Sequence, residues 1–305
     1  MSPANSVGYD PWPSLSYPDF AATQYLLHMG LQVLGKLKLV EPFQPQWAEV
    51  PLWLTGRGLT TGPIPFAGGA YEITTDFVSH QVECVTSWGF SDRFGLGPMS
   101  VARFAALVFD LLHRAGVEVS INLRPQEVPN PILFDQDNEE RTYEPALVNS
   151  WWRILLSTKR VMQVFQGRFQ GKTQPIGLMW GTLDIRCVNY NGKPASPGMN
   201  VDYIRRNAMN AELIEMGWWS GNASYPKPAF YSFTYPQPNG IEEARVSPPS
   251  SRWEPTMGEF LWDYDDLCKS AHPDEDLLSF FGSTYQAGAR LAGWDPKLAG
   301  SGKPE

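Results

Sequence analysis

The sequence predicts an α+β fold built largely on antiparallel sheet. Three observations carry that expectation. Long helical stretches occupy residues 18–38 and 145–169, each opened by a proline at its first turn. Segments 71–77 and 81–87 alternate apolar and polar residues and are joined only by 78–80, the signature of an antiparallel hairpin. Strict strand–helix alternation is absent, which argues against a doubly wound nucleotide-binding sheet.

Each further element has a local reason. Residues 1–16, with Pro3, Pro11 and Pro13, read as an extended lead-in to one domain over 17–295. Pro42 and Pro45 end the first helix, and 47–59 reads as a strand. Ser100 is an N-cap and Gly116 a C′ residue for a second helix, followed by a strand at 118–123. Pro125, Pro129 and Pro131 with the acidic run 135–140 mark a boundary or lid. A strand at 176–190 turns at Asn191-Gly192, a hairpin dipeptide. A helix at 201–216, strands at 229–234 and 259–263 and a helix at 274–291 complete the domain, and 296–305 reads as a disordered tail. Residues 17–123 and 145–235 share an outline: a long helix with a Gly-Lys pair (Gly35-Lys36, Gly171-Lys172), a Trp-bearing strand, then a hairpin. This suggests two αββ pseudo-repeats.

Composition excludes several function classes. The chain has 305 residues, 43% of them apolar, and a net charge of −8 with its basic residues scattered. Neither nucleic acid nor an anionic membrane surface is expected as a partner. No apolar run reaches the roughly 18–20 residues of a membrane span, and Met1-Ser-Pro-Ala-Asn5 lacks the start of a signal peptide, so a cytoplasmic protein is expected. Cys84, Cys187 and Cys268 have no metal or redox spacing and read as buried free thiols. The aromatic content, 12 Trp, 12 Tyr and 16 Phe, suits either a large core or a pocket for an apolar small molecule.

The sharpest site signal is the polar row Gln24, His28, Gln32 and Lys36, spaced four apart on an otherwise apolar helix, followed by Trp53 and the turn around Arg57. Buried polar groups need partners.

Several segments together resemble the bacterial family known as domain of unknown function 5996: Leu27-His28 with Gln32 and Gly35-Lys36, residues 57–61 with Ile64-Pro65, residues 77–80 and 127–131, Trp180-Gly181 with Asp184, Phe230-Tyr231 before Tyr235-Pro236, residues 258–261, and 283–285 through Trp294-Asp295. The ordered set spans about 12–295. The resemblance implies one fold unit and no particular activity. The family pattern carries His where this chain has Glu140, Gly177 and Ala211, so a metal site built on those imidazoles would be lost here.

The candidates each have a structural alternative. His28 suits acid or base work, or a hydrogen bond to a backbone carbonyl. Arg57 suits an anion or a structural ion pair. Lys36 suits a ligand carboxylate or Schiff base, or a helix C-terminus. Asp184, in an apolar strand, would need Arg57 or Lys36 as partner if buried. His80 belongs to a hairpin link, and Glu72, Asp76 and Glu83 share either an active or a solvated sheet face. The run 263–266 reads as a loop. The sequence therefore predicts an enzyme of the lyase, isomerase or cyclase kind acting on an apolar or aromatic small molecule. His28, Arg57 and Asp184 would be catalytic, with Gln32, Lys36, Trp53, Thr60, Trp180 and Tyr231 around the ligand. No cofactor is expected. The alternatives are a non-catalytic binder and a metalloenzyme using a divalent metal at His28, His80 and carboxylates.

Overall fold

Leucines, Met29 and Val33 recur around the first helix so densely that its second half is buried on every side. In the computed structural model, which describes residues 9–299, it forms helix α1 (Tyr17–Leu37), with all residues from Met29 to Leu37 buried. A helix apolar all round belongs inside a protein rather than on it. Gly35 lets it approach the indole of Trp180, since a Cβ there would lie 2.2 Å from the ring.

The strands form two antiparallel sheets. The first comprises β1 (Trp53–Leu54), β2 (Gly58–Thr60), β3 (Ile64–Phe66), β4 (Gly69–Asp76), β5 (Gln81–Thr86) and β6 (Ser91–Gly95), in the order β1-β2-β4-β5-β6 with β3 also on β4. Helix α2 (Val101–Arg114) follows, with Ser100 capping the Arg103 N–H. Helix α3 (Pro145–Gln166) leads into the second sheet: β7 (Lys172–Thr173), β8 (Gly177–Met179), β9 (Asp184–Pro194), then helix α4 (Tyr203–Ala208), β10 (Ala211–Trp219), β11 (Ala229–Tyr235), β12 (Arg252–Glu254) and β13 (Glu259–Asp263). Its order is β12-β13-β11-β10-β9-β7, with β8 also on β9. Helices α5 (Tyr264–Cys268) and α6 (Pro273–Leu291) end the fold. An antiparallel bridge, Leu52 to Leu178, joins the two sheets, and one apolar cluster runs through both.

The period of two sorts the second sheet into two chemistries. Ile185, Cys187, Ile214, Met216, Trp218, Phe230, Phe260 and Trp262 are buried in the core, on the side where α3 and α6 pack. Their neighbours Asp184, Arg186, Glu215, Gly217, Trp219, Tyr231 and Glu259 face the other way.

The α+β class, the first two helices, the 71–77/81–87 hairpin, α3 and α6 match the sequence reading. Several elements differ. Residues 47–59 form a 3₁₀ turn (Pro45–Trp47) and then the β1–β2 hairpin, bent at Thr55-Gly56-Arg57. Residues 118–123 are irregular. The expected strand 176–190 is broken by a turn at 180–183, where Leu183 takes φ 60°. Asn191-Gly192 is a bulge, not a hairpin turn: three residues, 191–193, oppose Glu212 alone. The expected helix 201–216 is only α4, and its second half is the central strand β10. Cys268 is exposed, unlike Cys84 and Cys187. Residues 296–299 form a 3₁₀ turn whose Leu298 carbonyl accepts from the Gln170 N–H at 2.9 Å, so the expected tail is ordered at least that far. Residues 1–8 of the lead-in and 300–305 of the tail lie outside the described residues; Trp12 and Leu15 of the lead-in are buried. No described helix is long and apolar enough to cross a membrane.

Gly35→Ala forces a methyl into the Trp180 indole, which also donates to the Val50 carbonyl at 3.0 Å. Overpacking of this kind costs about 1–3 kcal/mol. The chemical-denaturation midpoint should fall accordingly, while Gly56→Ala, with open space around it, leaves it nearly unchanged.

Candidate functional site

Three of the four residues in the polar row of α1, Gln24, His28 and Gln32, end on backbone groups. Gln24 donates to the Gly221 carbonyl at 2.9 Å. His28 Nε2 faces the carbonyls of Trp180 and Gly181 at 3.1 and 2.9 Å, which assigns the proton to that nitrogen. Gln32, fully buried, clasps one residue twice: its Nε2 donates to the Gln126 carbonyl at 2.8 Å and its Oε1 accepts the Gln126 N–H at 2.8 Å. Two loops are thereby fixed against one helix. Gln126 precedes Glu127, and Gly181 precedes Asp184 by three residues. The absence of a side chain on Gly181 admits the Glu127 carboxyl, since a Cβ there would lie 2.2 Å from Glu127 Oε2.

Asp184 begins β9 and is 7% exposed; Glu215, in the middle of β10, is 9% exposed. Gly217 stands between Arg186 and Tyr231 in the ladder. Because it has no side chain, the Tyr231 ring lies across β10, where a Cβ at 217 would be 2.4 Å from Cε1, Cζ and the hydroxyl. The Tyr231 hydroxyl hydrogen-bonds to Asp184 Oδ2 and stands 3.2 Å from Glu215 Oε1. Thr182 donates to Asp184 Oδ1. Arg186 reaches Glu215 Oε2 at 3.1 Å and turns its other nitrogen to the Gln46 carbonyl and Gln174 Oε1, at 3.2 and 3.1 Å. Aromatic rings surround the cluster: Trp219 lies 5.5 Å from Tyr225 and 6.0 Å from Tyr231, and Phe233 stacks on Tyr231 at 6.3 Å between centroids.

Two buried carboxylates and one guanidinium leave an excess negative charge, and the groups respond as burial demands. Burial raises the pKa of Asp184 and of Glu215, against the opposing pull of Thr182, Tyr231 and Arg186. Tyr231 is pushed well above the ordinary phenol value by burial and then by Asp184 and Glu215. At the rim, desolvation and then the charges of Asp184 and Asp202 raise Glu127 to about 7, while desolvation, Glu215 and Asp184 raise Glu259 to about 8. Burial lowers His28 to about 4, so its imidazole is neutral near pH 7.

Of the expected site residues, the structure brings Asp184 and Tyr231 together directly and sets His28, Gln32 and Trp180 behind them as supports. Asp184's partners are Thr182 and Tyr231, not Arg57 or Lys36. Arg57 is exposed and pairs with Asp76 at 2.5 Å. Lys36, 3% exposed, lies 6.0 Å from the Phe134 and Trp180 centroids with no hydrogen-bond partner among the described residues, and burial lowers it to about 8. Trp53 lies under Lys38, and Thr60 donates to Glu72. His80 Nδ1 is 2.9 Å from the Tyr143 hydroxyl. Among the described residues no group of three or more His, Cys, Asp or Glu is arranged to hold a metal ion. Gly177 has no room for an imidazole, because even a Cβ would meet Pro51 at 2.7 Å. Sequence reasoning missed Glu215, Glu127, Arg186 and Glu259. The alternation of 213–219, with Glu215 and Gly217 on one face, was the available signal for the first.

The pKa shifts fix the sign of the pH dependence. His28 is held below its unfolded value, so the unfolded chain takes up the proton first and stability falls as pH drops from about 6.5 toward 4. Glu259 is held above its unfolded value, so its contribution is complete below about pH 4.5 and is lost as pH rises through about 8. Thermal unfolding across about pH 4 to 9 should show both limbs. His28→Gln, which keeps an N–H donor, should make the acid limb shallower, and Glu259→Gln the alkaline one, which Glu127, Asp184 and Glu215 share; a slope unchanged by its variant would refute that assignment.

The model of a family of unknown function, DUF5996, matches residues 12–300. No curated protein and no solved structure matches the chain. With nearly its whole length covered by that one family model, the chain belongs to the DUF5996 family.

Proposed function

We propose that the Asp184–Tyr231–Glu215 cluster is the proton-transfer centre of an enzyme acting on an apolar or aromatic small molecule, with chemistry of the lyase, isomerase or cyclase kind. The observation that carries this reading is the Tyr231 oxygen, shared by two buried carboxyls. A phenol has one proton to give. With Tyr231 donating to Asp184, its oxygen is left to accept, and Glu215 Oε1 makes a hydrogen bond to it only by carrying a proton itself. Burial favours that proton, because two ionised carboxylates beside a single Arg186 repel each other. The pair is then an acid and a base set apart by environment.

Glu127, on the exposed rim with a pKa of about 7, is matched to exchanging protons with water at neutral pH. Trp219, Tyr225 and Phe233 supply flat apolar surface beside the carboxyls, which favours a substrate with an aromatic or apolar body. His28 enters as a positioning residue: its Nε2–H anchors the 180–181 turn that leads into Asp184. The chemistry uses side-chain protons alone. The three unpaired cysteines, one of them exposed, favour a reducing compartment, and we place the enzyme in the cytoplasm.

Incubating the protein with a metabolite extract in deuterium oxide tests this. At least one aromatic or apolar metabolite should be converted or gain deuterium. Asp184→Asn and Glu215→Gln should each slow that change by about 10²–10⁴-fold, the usual worth of a positioned acid or base. Turnover equal to wild type in both variants, or no metabolite altered by the wild type, would overturn the assignment.

A further inference from the structure

A second feature lies apart from the carboxylate cluster. Beyond the end of α1 a cleft of about 270 Å³ is bounded by Lys38, Glu41, Gln44, Glu49, Trp53 and Pro175, among others. Lys38 is almost fully buried and its charge is already answered. Its ammonium donates to Glu41 Oε1 at 2.9 Å and to the Thr61 carbonyl at 2.6 Å, and stands 5.6 Å from the Trp53 centroid. Glu49 differs. It is 5% exposed, its Oε2 accepts the Gln44 N–H at 3.0 Å, and among the described residues no cation pairs with it. The Glu49 carboxyl thus lines the cleft with a single backbone N–H as its hydrogen-bond partner among the described residues.

The walls are held in shape from behind. Gln174 donates to the carbonyls of Pro45 and Gln46, and Arg186 to that of Gln46, which fixes the start of the loop that carries Glu49. Gly62, at φ 68°, keeps the chain close to the Trp53 indole without covering it with a side chain. The volume lies just below the usual range for drug-sized ligands and suits a smaller one.

We propose that this cleft binds a small organic cation: a primary ammonium on an aromatic or apolar body. The ammonium donates to Glu49, which neutralises it. The body lies against Trp53 and Pro175, where flat apolar surface is available.

Calorimetric titration of the full chain with 2-phenylethylammonium, 2-phenylethanol and phenylacetate tests the proposal. The cation should bind at least about tenfold more tightly than the neutral and anionic analogues, a difference of about 1.4 kcal/mol. Glu49→Gln should weaken it by about tenfold or more, and Ala48→Trp, which fills the cleft without altering its charge, should abolish it. Asp184→Asn should leave it unchanged, which separates this site from the carboxylate cluster. Should Glu49→Gln fail to fold, the ligand series and Ala48→Trp decide alone. Phenylacetate binding as tightly as the cation, cation binding retained in folded Ala48→Trp, or no cation binding to the wild type would overturn it.

Discussion

Gln32 enters the core with no access to water, and its amide has to be satisfied there. The two hydrogen bonds it exchanges with Gln126 do so within the protein, at about 1 kcal/mol net each and with a larger cost if either is left unmade. The constraint works outward. A loop rich in proline, otherwise free to wander, is held to α1 at one residue, and the next residue is Glu127. One turn back along the helix, His28 holds the 180–181 turn in the same manner, and that turn delivers Asp184. The polar row is therefore the frame of the site more than its chemistry.

Glycine completes what the row begins. Gly181 and Gly217 are both positions where a methyl would strike a neighbouring polar side chain, the Glu127 carboxyl in one case and the Tyr231 phenol in the other. At Gly217 the missing side chain lets a tyrosine from β11 reach across β10 to a carboxylate on β9, joining three strands through one oxygen. A buried polar network of this kind is fully effective only when every member is satisfied, and here Thr182, Arg186, Gln46 and Gln174 fill the remaining places.

Much of this was legible in the amino-acid pattern, and each failure has a physical cause. Asp184 stood out as a carboxyl in an apolar strand, Tyr231 as a residue beside a ligand, and α1 as a buried helix with a polar row. Glu215 was hidden because Ala211, Glu212, Leu213 and Met216 are good helix formers. The pairing of 211–219 between β9 and β11 overrides that preference, since central strands draw their stability from both neighbours. Asn191-Gly192 carries a turn signal that the chain uses for a bulge, because the real reversal comes later, in the excursion 195–210 that contains α4. Arg57 looked like a partner for Asp184 because nothing local to either residue states which sheet it joins. Arg186, two residues from Asp184 on the same face, supplies the positive charge instead.

An acid and base pair of this kind requires the cluster to hold a proton at neutral pH. Infrared difference spectroscopy of the protonated carboxyl stretch, comparing wild type with Asp184→Asn and Glu215→Gln at pH 7, addresses it most directly. The wild type should show a buried carboxylic acid band that is lost or shifted in these variants. A wild-type spectrum with only ionised carboxylates, or a band indifferent to both substitutions, would contradict it.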